Sequence, residues 1–182
     1  MTVRSDAIVV DASIARAAGE TEHRTSRACR EFLEALRDGP LRLVMGDELL
    51  AEWRRHRSLF ARRWLVAMYA RKRVKRLPEI SNEPLRQGLE ACAEQRANTE
   101  TDANAWSAAM LKDCHLIEAS IAADKAPVAA HDEKVRVQFR ACASAVIVLR
   151  DVVWVNPTKM AEQPLEWLAA GAPRDRARML GV

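Results

Sequence analysis

Five carboxylates in this chain stand where chemistry could use them. Asp11 closes the apolar run "AIVV", and Asp132 closes another, "APVAAH". Glu48 and Glu52 lie just past a third run, "LRLVM", four residues apart and therefore on one face of a following helix. Asp113 stands in "AAMLKDCHLIEASIAA", among mostly apolar or small neighbours. A carboxylate there is expensive to bury unless something pairs with it. Brought together, Asp11, Glu52 (with Glu48 as second choice), Asp113 and Asp132 would repel one another. A hard divalent cation relieves this, and Mg²⁺ or Mn²⁺ takes carboxylate oxygens while keeping several waters. Such an ion activates water and clamps a phosphoryl oxygen, the chemistry of phosphodiester hydrolysis. Each acid alone has a plainer reading as a helix cap, turn or surface residue, so the inference rests on their conjunction.

A polyanionic substrate needs positive charge, and the chain has a block of it. The segment "RRHRSLFARRWLVAMYARKRVKR", 54–76, holds ten Arg or Lys and no acid. Blocks of one sign are often interaction surfaces, and Arg54, Arg55, Arg57, Arg62 and Arg63 are the candidates nearest the acids for holding phosphates. Ser13, two residues beyond Asp11, could assist metal or phosphate binding, as could Asn104. His131 beside Asp132 could touch substrate, whereas His115 reads as a packed or surface histidine. Of the five tryptophans only Trp53, next to Glu52 and the basic run, is a candidate for stacking on a base.

The elements that must position these groups alternate. Residues 7–10, 41–45, 126–130, 145–149 and 152–156 are short apolar runs suited to buried strands. Helical patterns occupy about 12–38, 47–72, 81–98, 102–125 and 133–143, and a last one follows Pro157, kinked or restarted at Pro164. Strands separated by helices predict a three-layer α/β/α fold with a mostly parallel sheet. The region around 54–104 reads as a helical insertion. In such a sheet the site lies outside the C-terminal ends of the strands, where Asp11 and Asp132 both fall.

A length of 182 residues suits a single domain, 1–182, with ordinary soluble composition. No apolar run approaches membrane-spanning length. "MTVRSDAIVV" lacks the apolar stretch of an export signal, which favours a cytoplasmic, reduced protein. Cys29, Cys92, Cys114 and Cys142 are scattered, with no C-x-x-C pair, and read as buried thiols rather than zinc ligands or disulfides. No glycine-rich phosphate loop is present, which disfavours a nucleotide-cofactor enzyme.

In order and spacing, "IVVDASIA", "GDELLAEW", "KDCHLIEASIAADKAPVAAHDEKVR" and "VWVNPTKMAEQPLEWL" resemble the PIN domain family across nearly the whole chain. The resemblance implies a compact α/β/α nuclease with an acidic centre dependent on Mg²⁺ or Mn²⁺, cutting RNA. Its site residues would be Asp11, Glu52 or Glu48, Asp113 and Asp132. It further implies the toxin of a toxin–antitoxin pair, with an antitoxin protein as partner and a homodimer as assembly. One departure is Ala130, where the family often carries Ser or Thr two residues before the last acid; His131 could partly replace that hydroxyl. The rival expectation is a non-catalytic module that binds nucleic acid or protein through the basic segment 54–76.

Overall fold

The computed structural model describes residues 5–182; the first four residues, part of the segment read as lacking an export signal, lie outside them. Within the described residues, five strands form one sheet: β1 (Ala7–Val10), β2 (Arg42–Met45), β3 (Val74–Arg76), β4 (Val128–Ala129) and β5 (Trp154–Val155). Their order is β3-β2-β1-β4-β5, and every pairing is parallel. All four residues of β1 are fully buried, as a parallel sheet covered on both faces requires. Among the described residues, eight α-helices accompany the sheet: α1 (Ala12–Ala17), α2 (Arg24–Asp38), α3 (Asp47–His56), α4 (Leu59–Ala70), α5 (Glu83–Arg96), α6 (Glu100–Ala122), α7 (Glu133–Cys142) and α8 (Pro164–Ala169). Helices α1 to α4 and α8 pack among themselves, and α5, α6 and α7 form another group, in which α6 touches β1 and β4. This arrangement is consistent with three layers. One continuous apolar cluster runs through it.

The chain leaves β1 toward β2 and β3, then returns to place β4 and β5 on the other side of β1. The strand order therefore switches direction between β1 and β4. Crevices open at such switch points, outside the carboxyl ends of the strands. Asp11 follows β1 there and Asp132 follows β4, while the N–H of Asp11 donates to the Ala129 carbonyl at 2.9 Å.

Several expectations need correction. The run 145–149 is not a strand; residues 147–151 form a 3₁₀ helix, with Leu149 N–H donating to Val146 O and Val152 N–H to Leu149 O. Ile147 is 70% exposed, so the run had no second apolar face to bury. The insertion 54–104 is not wholly helical, because Val74–Arg76 forms the edge strand β3 against β2. Short edge strands carrying charge discourage further pairing, and they lack the apolar signature of a buried strand. The helical pattern 12–38 divides at 18–23, and 47–72 divides at Arg57–Ser58, where Ser58 caps α4 by accepting from Ala61 N–H. Pro164 restarts the last helix, at its first residue.

The cysteines are also corrected. Cys92 and Cys142 form a disulfide that joins α5 to α7, with Cα atoms 5.9 Å apart. Cys29 and Cys114 are buried free thiols, and burial pushes both up to about 12. Among the described residues, no helix is long and apolar enough to cross a membrane.

Candidate functional site

A cavity of about 160 Å³ opens at the switch point, and its lining includes Asp11, Glu52, Asp113 and Asp132. The four acids come from four different elements. Asp11 ends β1 and caps α1, with Oδ2 accepting from Ser13 N–H at 3.2 Å. Asp132 caps α7, with Oδ1 accepting from the N–H groups of Lys134 (2.9 Å) and Val135 (3.4 Å). The capping reading of these two residues is therefore true as well, yet each spends one oxygen on it and keeps the other. Asp113 projects from α6, and Glu52 from the second turn of α3.

The electrostatics follow from the crowding. Burial, reinforced by Asp11 and more weakly by Asp132, raises the Asp113 carboxyl from 3.8 to about 6, against opposing effects of Lys112 and His115. Glu52 is paired, with Arg55 Nη1 donating to Oε1 at 3.1 Å and His56 Nε2 lying 3.4 Å from Oε2. Ser13 Oγ accepts from His131 N–H at 3.3 Å, tying the β1–α1 turn to the β4–α7 turn. A hydroxyl thus holds the main chain just before Asp132, although Ala130 has none.

Positive charge reaches the cavity from residues that the sequence reading did not single out. Arg16 and Lys112 line it, and neither has a carboxylate partner among the described residues. Lys112 precedes Asp113 and Arg16 lies five residues past Asp11, so proximity to the acids was the available signal. His56 also lines the cavity, and its i,i+4 spacing from Glu52 was visible.

The arginines nominated from the basic segment sit elsewhere. Arg54, Arg55, Arg57, Arg62 and Arg63 lie at the α3–α4 junction and along α4, outside the cavity lining. Arg55 is paired with Glu52, and Arg63 with Glu20 at 3.3 Å. Arg54 and Arg62 are exposed without an ion-pair partner among the described residues. Trp53 is fully buried, with its indole N–H donating to the Val10 carbonyl at 2.9 Å, so it is a core residue and stacks on no base. Asn104 is exposed and outside the cavity lining.

Glu48 and Glu52 separate. Glu52 faces the acidic cavity, whereas Glu48 lines a neighbouring one with Arg86, His115 and Glu118. Glu118, overlooked in the apolar stretch of α6, is 2% exposed and accepts from Arg86 Nε (2.8 Å), Arg86 Nη2 (2.7 Å) and Asn82 N–H (2.7 Å).

The donor set fits a hard divalent cation. It is all carboxylate oxygen, and the charge of Asp113 is suppressed by burial and by Asp11 and Asp132. Among the described residues, no three His, Cys, Asp or Glu side chains already close on one point as a formed metal centre. Mg²⁺ needs only one or two direct carboxylates and reaches the rest through its waters, so a ring of acids around a cavity suffices. No protein-family model matches the chain, and no curated protein matches it either.

Proposed function

We propose that this protein is a Mg²⁺- or Mn²⁺-dependent endoribonuclease of the PIN type that hydrolyses RNA phosphodiester bonds at the cavity between β1 and β4. One observation carries the reading: four carboxylates from four elements line a single cavity, and Asp113 holds its proton up to about 6. A divalent cation bound there supplies a Lewis acid for the phosphoryl oxygen and a more acidic water. Asp11, Asp113 and Asp132 would hold it, with Glu52 positioned to accept a water proton or to reach the ion through water. Arg16 and Lys112 supply positive charge for the substrate phosphates flanking the scissile bond. Ser13 keeps the Asp11 and Asp132 turns in register through His131 N–H.

The resemblance alone carries the further proposals that the protein is a toxin held by an antitoxin and that it forms a homodimer. The exposed Arg54 and Arg62 favour the rival reading, a module that binds nucleic acid through α3 and α4 without cutting it.

End-labelled RNA incubated with Mn²⁺, with EDTA, and with the Asp11→Asn/Asp113→Asn variant separates the two. Cleavage confined to the wild-type protein with Mn²⁺ supports the nuclease. Cleavage that persists in EDTA or in the variant refutes the metal mechanism, and binding without cutting under any condition favours the rival.

A further inference from the structure

Asn156 directly follows β5, and it is only 2% exposed. Its amide reaches the residues on either side of Asp132: Nδ2 donates to the His131 carbonyl at 3.3 Å and to Glu133 Oε1 at 2.8 Å. Thr158 N–H, which can only donate, stands 3.0 Å from Oδ1, so the amide has one orientation. Thr158 Oγ1 donates to the same oxygen at 2.9 Å. This is an Asx turn, and Pro157 at its centre stiffens the backbone, so the side chain is held in place from within its own loop. The main-chain N–H of Asn156 donates in turn to Glu162 Oε2 at 3.0 Å, and Glu162 is itself held by Arg136.

Asp132 depends on such support. It is exposed, so packing around its own side chain does not hold it. One of its oxygens caps α7, and where the carboxylate stands is set by the groups before and after it. His131 is gripped at both ends of its main chain. Its N–H donates to Ser13 Oγ beyond β1 at 3.3 Å, and its carbonyl accepts from Asn156 beyond β5. The turn after β4 is thus clamped between the ends of the two strands that flank β4 in the sheet. Asn156 is outside the cavity lining, so it acts on the site through Asp132.

We infer that Asn156 is a positioning residue of the acidic cavity, holding the residues on both sides of Asp132 so that this carboxylate keeps its place in the lining where a divalent cation binds. The inference rests on the metal-site reading of that cavity and extends it to a group that the four acids do not include.

Calorimetry of Mn²⁺ binding, well below each variant's denaturation midpoint, tests it as a double-mutant cycle. Asn156→Ala is expected to weaken Mn²⁺ binding about tenfold, the loss typical when an outer partner of a metal ligand is removed. In protein already carrying Asp132→Asn the same change is expected to cost little more, because the charge it positions is gone. A purely structural amide would lower the denaturation midpoint without this coupling. In metal-free protein, hydrogen exchange of the Lys134 and Val135 amides, which donate to Asp132 Oδ1, is expected to quicken in Asn156→Ala while exchange in α2 stays the same. Asn156→Ser keeps one donor hydrogen; it should fall between, and it is read instead if Asn156→Ala does not fold.

Unchanged Mn²⁺ affinity in Asn156→Ala, or an equal loss with and without Asp132→Asn, overturns the inference and leaves the metal site standing. Wild-type protein that binds no Mn²⁺ overturns the metal reading, and the exchange rates then decide the positioning on their own.

Discussion

The indole N–H of Trp53 donates to the main-chain carbonyl of Val10, 43 residues earlier, at 2.9 Å. That bond ties α3 to the strand end from which Asp11 emerges. Trp53 adjoins Glu52, so one buried contact holds two of the four acids in a common frame. Trp53 also stacks on Trp64 of α4, with ring centroids 5.8 Å apart.

Trp53→Phe removes the donor and part of the ring. Chemical denaturation is expected to show a loss of about 2–4 kcal/mol, from the unmet Val10 carbonyl and the space left behind. Mn²⁺-dependent cleavage should fall further than the remaining folded fraction explains, because Asp11 and Glu52 lose their shared support. Cleavage that tracks folded protein alone would confine Trp53 to stability.

Asp113 predicts an unusual pH profile. Its folded pKa of about 6 lies above the ordinary 3.8, so the folded state binds this proton more tightly than the unfolded state does. In metal-free protein its contribution to stability declines as pH rises from about 4 to 6 and is constant above that. Asp113→Asn removes the decline and is expected to stabilise the metal-free protein by about 1–2 kcal/mol at pH 8, after discounting for partial solvent access. Thermal denaturation in EDTA across pH 4–8 checks this. Mn²⁺ affinity measured by calorimetry should fall toward acid pH below about 6, where the proton competes with the ion.

The Arg86–Glu118 pair behaves in the opposite sense. Burial acts to raise the Glu118 carboxyl, but the hydrogen bonds from Arg86 and Asn82 outweigh it and hold the group below 4.5. Its stabilising contribution is therefore present above that value and lost as pH falls through the lowered one. Arg86→Met leaves a charge 2% exposed without its cation, and a loss of about 3 kcal/mol is expected at pH 7. Arg86→Met with Glu118→Gln should recover part of it. Urea denaturation of the three variants gives the coupling.

The Cys92–Cys142 bridge closes a separation of 50 residues. Chain-entropy reasoning assigns it about 4 kcal/mol. Cys92→Ala/Cys142→Ala should lower the denaturation midpoint, and wild-type protein in reducing agent should follow it. Unchanged midpoints in both would show that packing of α5 and α7 suffices.

How much of this was legible differs from element to element. Strands β1, β2 and β4 were visible because buried parallel strands are apolar throughout, and that placed Asp11 and Asp132 at one sheet edge before any coordinates. The run 145–149 has the same composition, but Trp154–Val155 takes the place beside β4, and only the pairing of Trp154 with Val128 decides between them. β3 carries Lys75 and Arg76 and has no such signature. Asp113 stood out as a charge in an apolar helix. Glu118, one turn later, passed unnoticed because its cation, Arg86, is 32 residues away. The split between Glu48 and Glu52 depends on which cavity each faces, a property of α3 packing that i,i+4 spacing does not contain. The cysteine pair became adjacent only through the packing of α5 against α7.

The strand order has one more consequence. Since β4 slots beside β1 only after every intervening element has been laid down, a polypeptide still emerging from the ribosome has Asp11 and Glu52 but not Asp132. The four acids share one cavity only once β4, from late in the chain, has paired with β1, from its start.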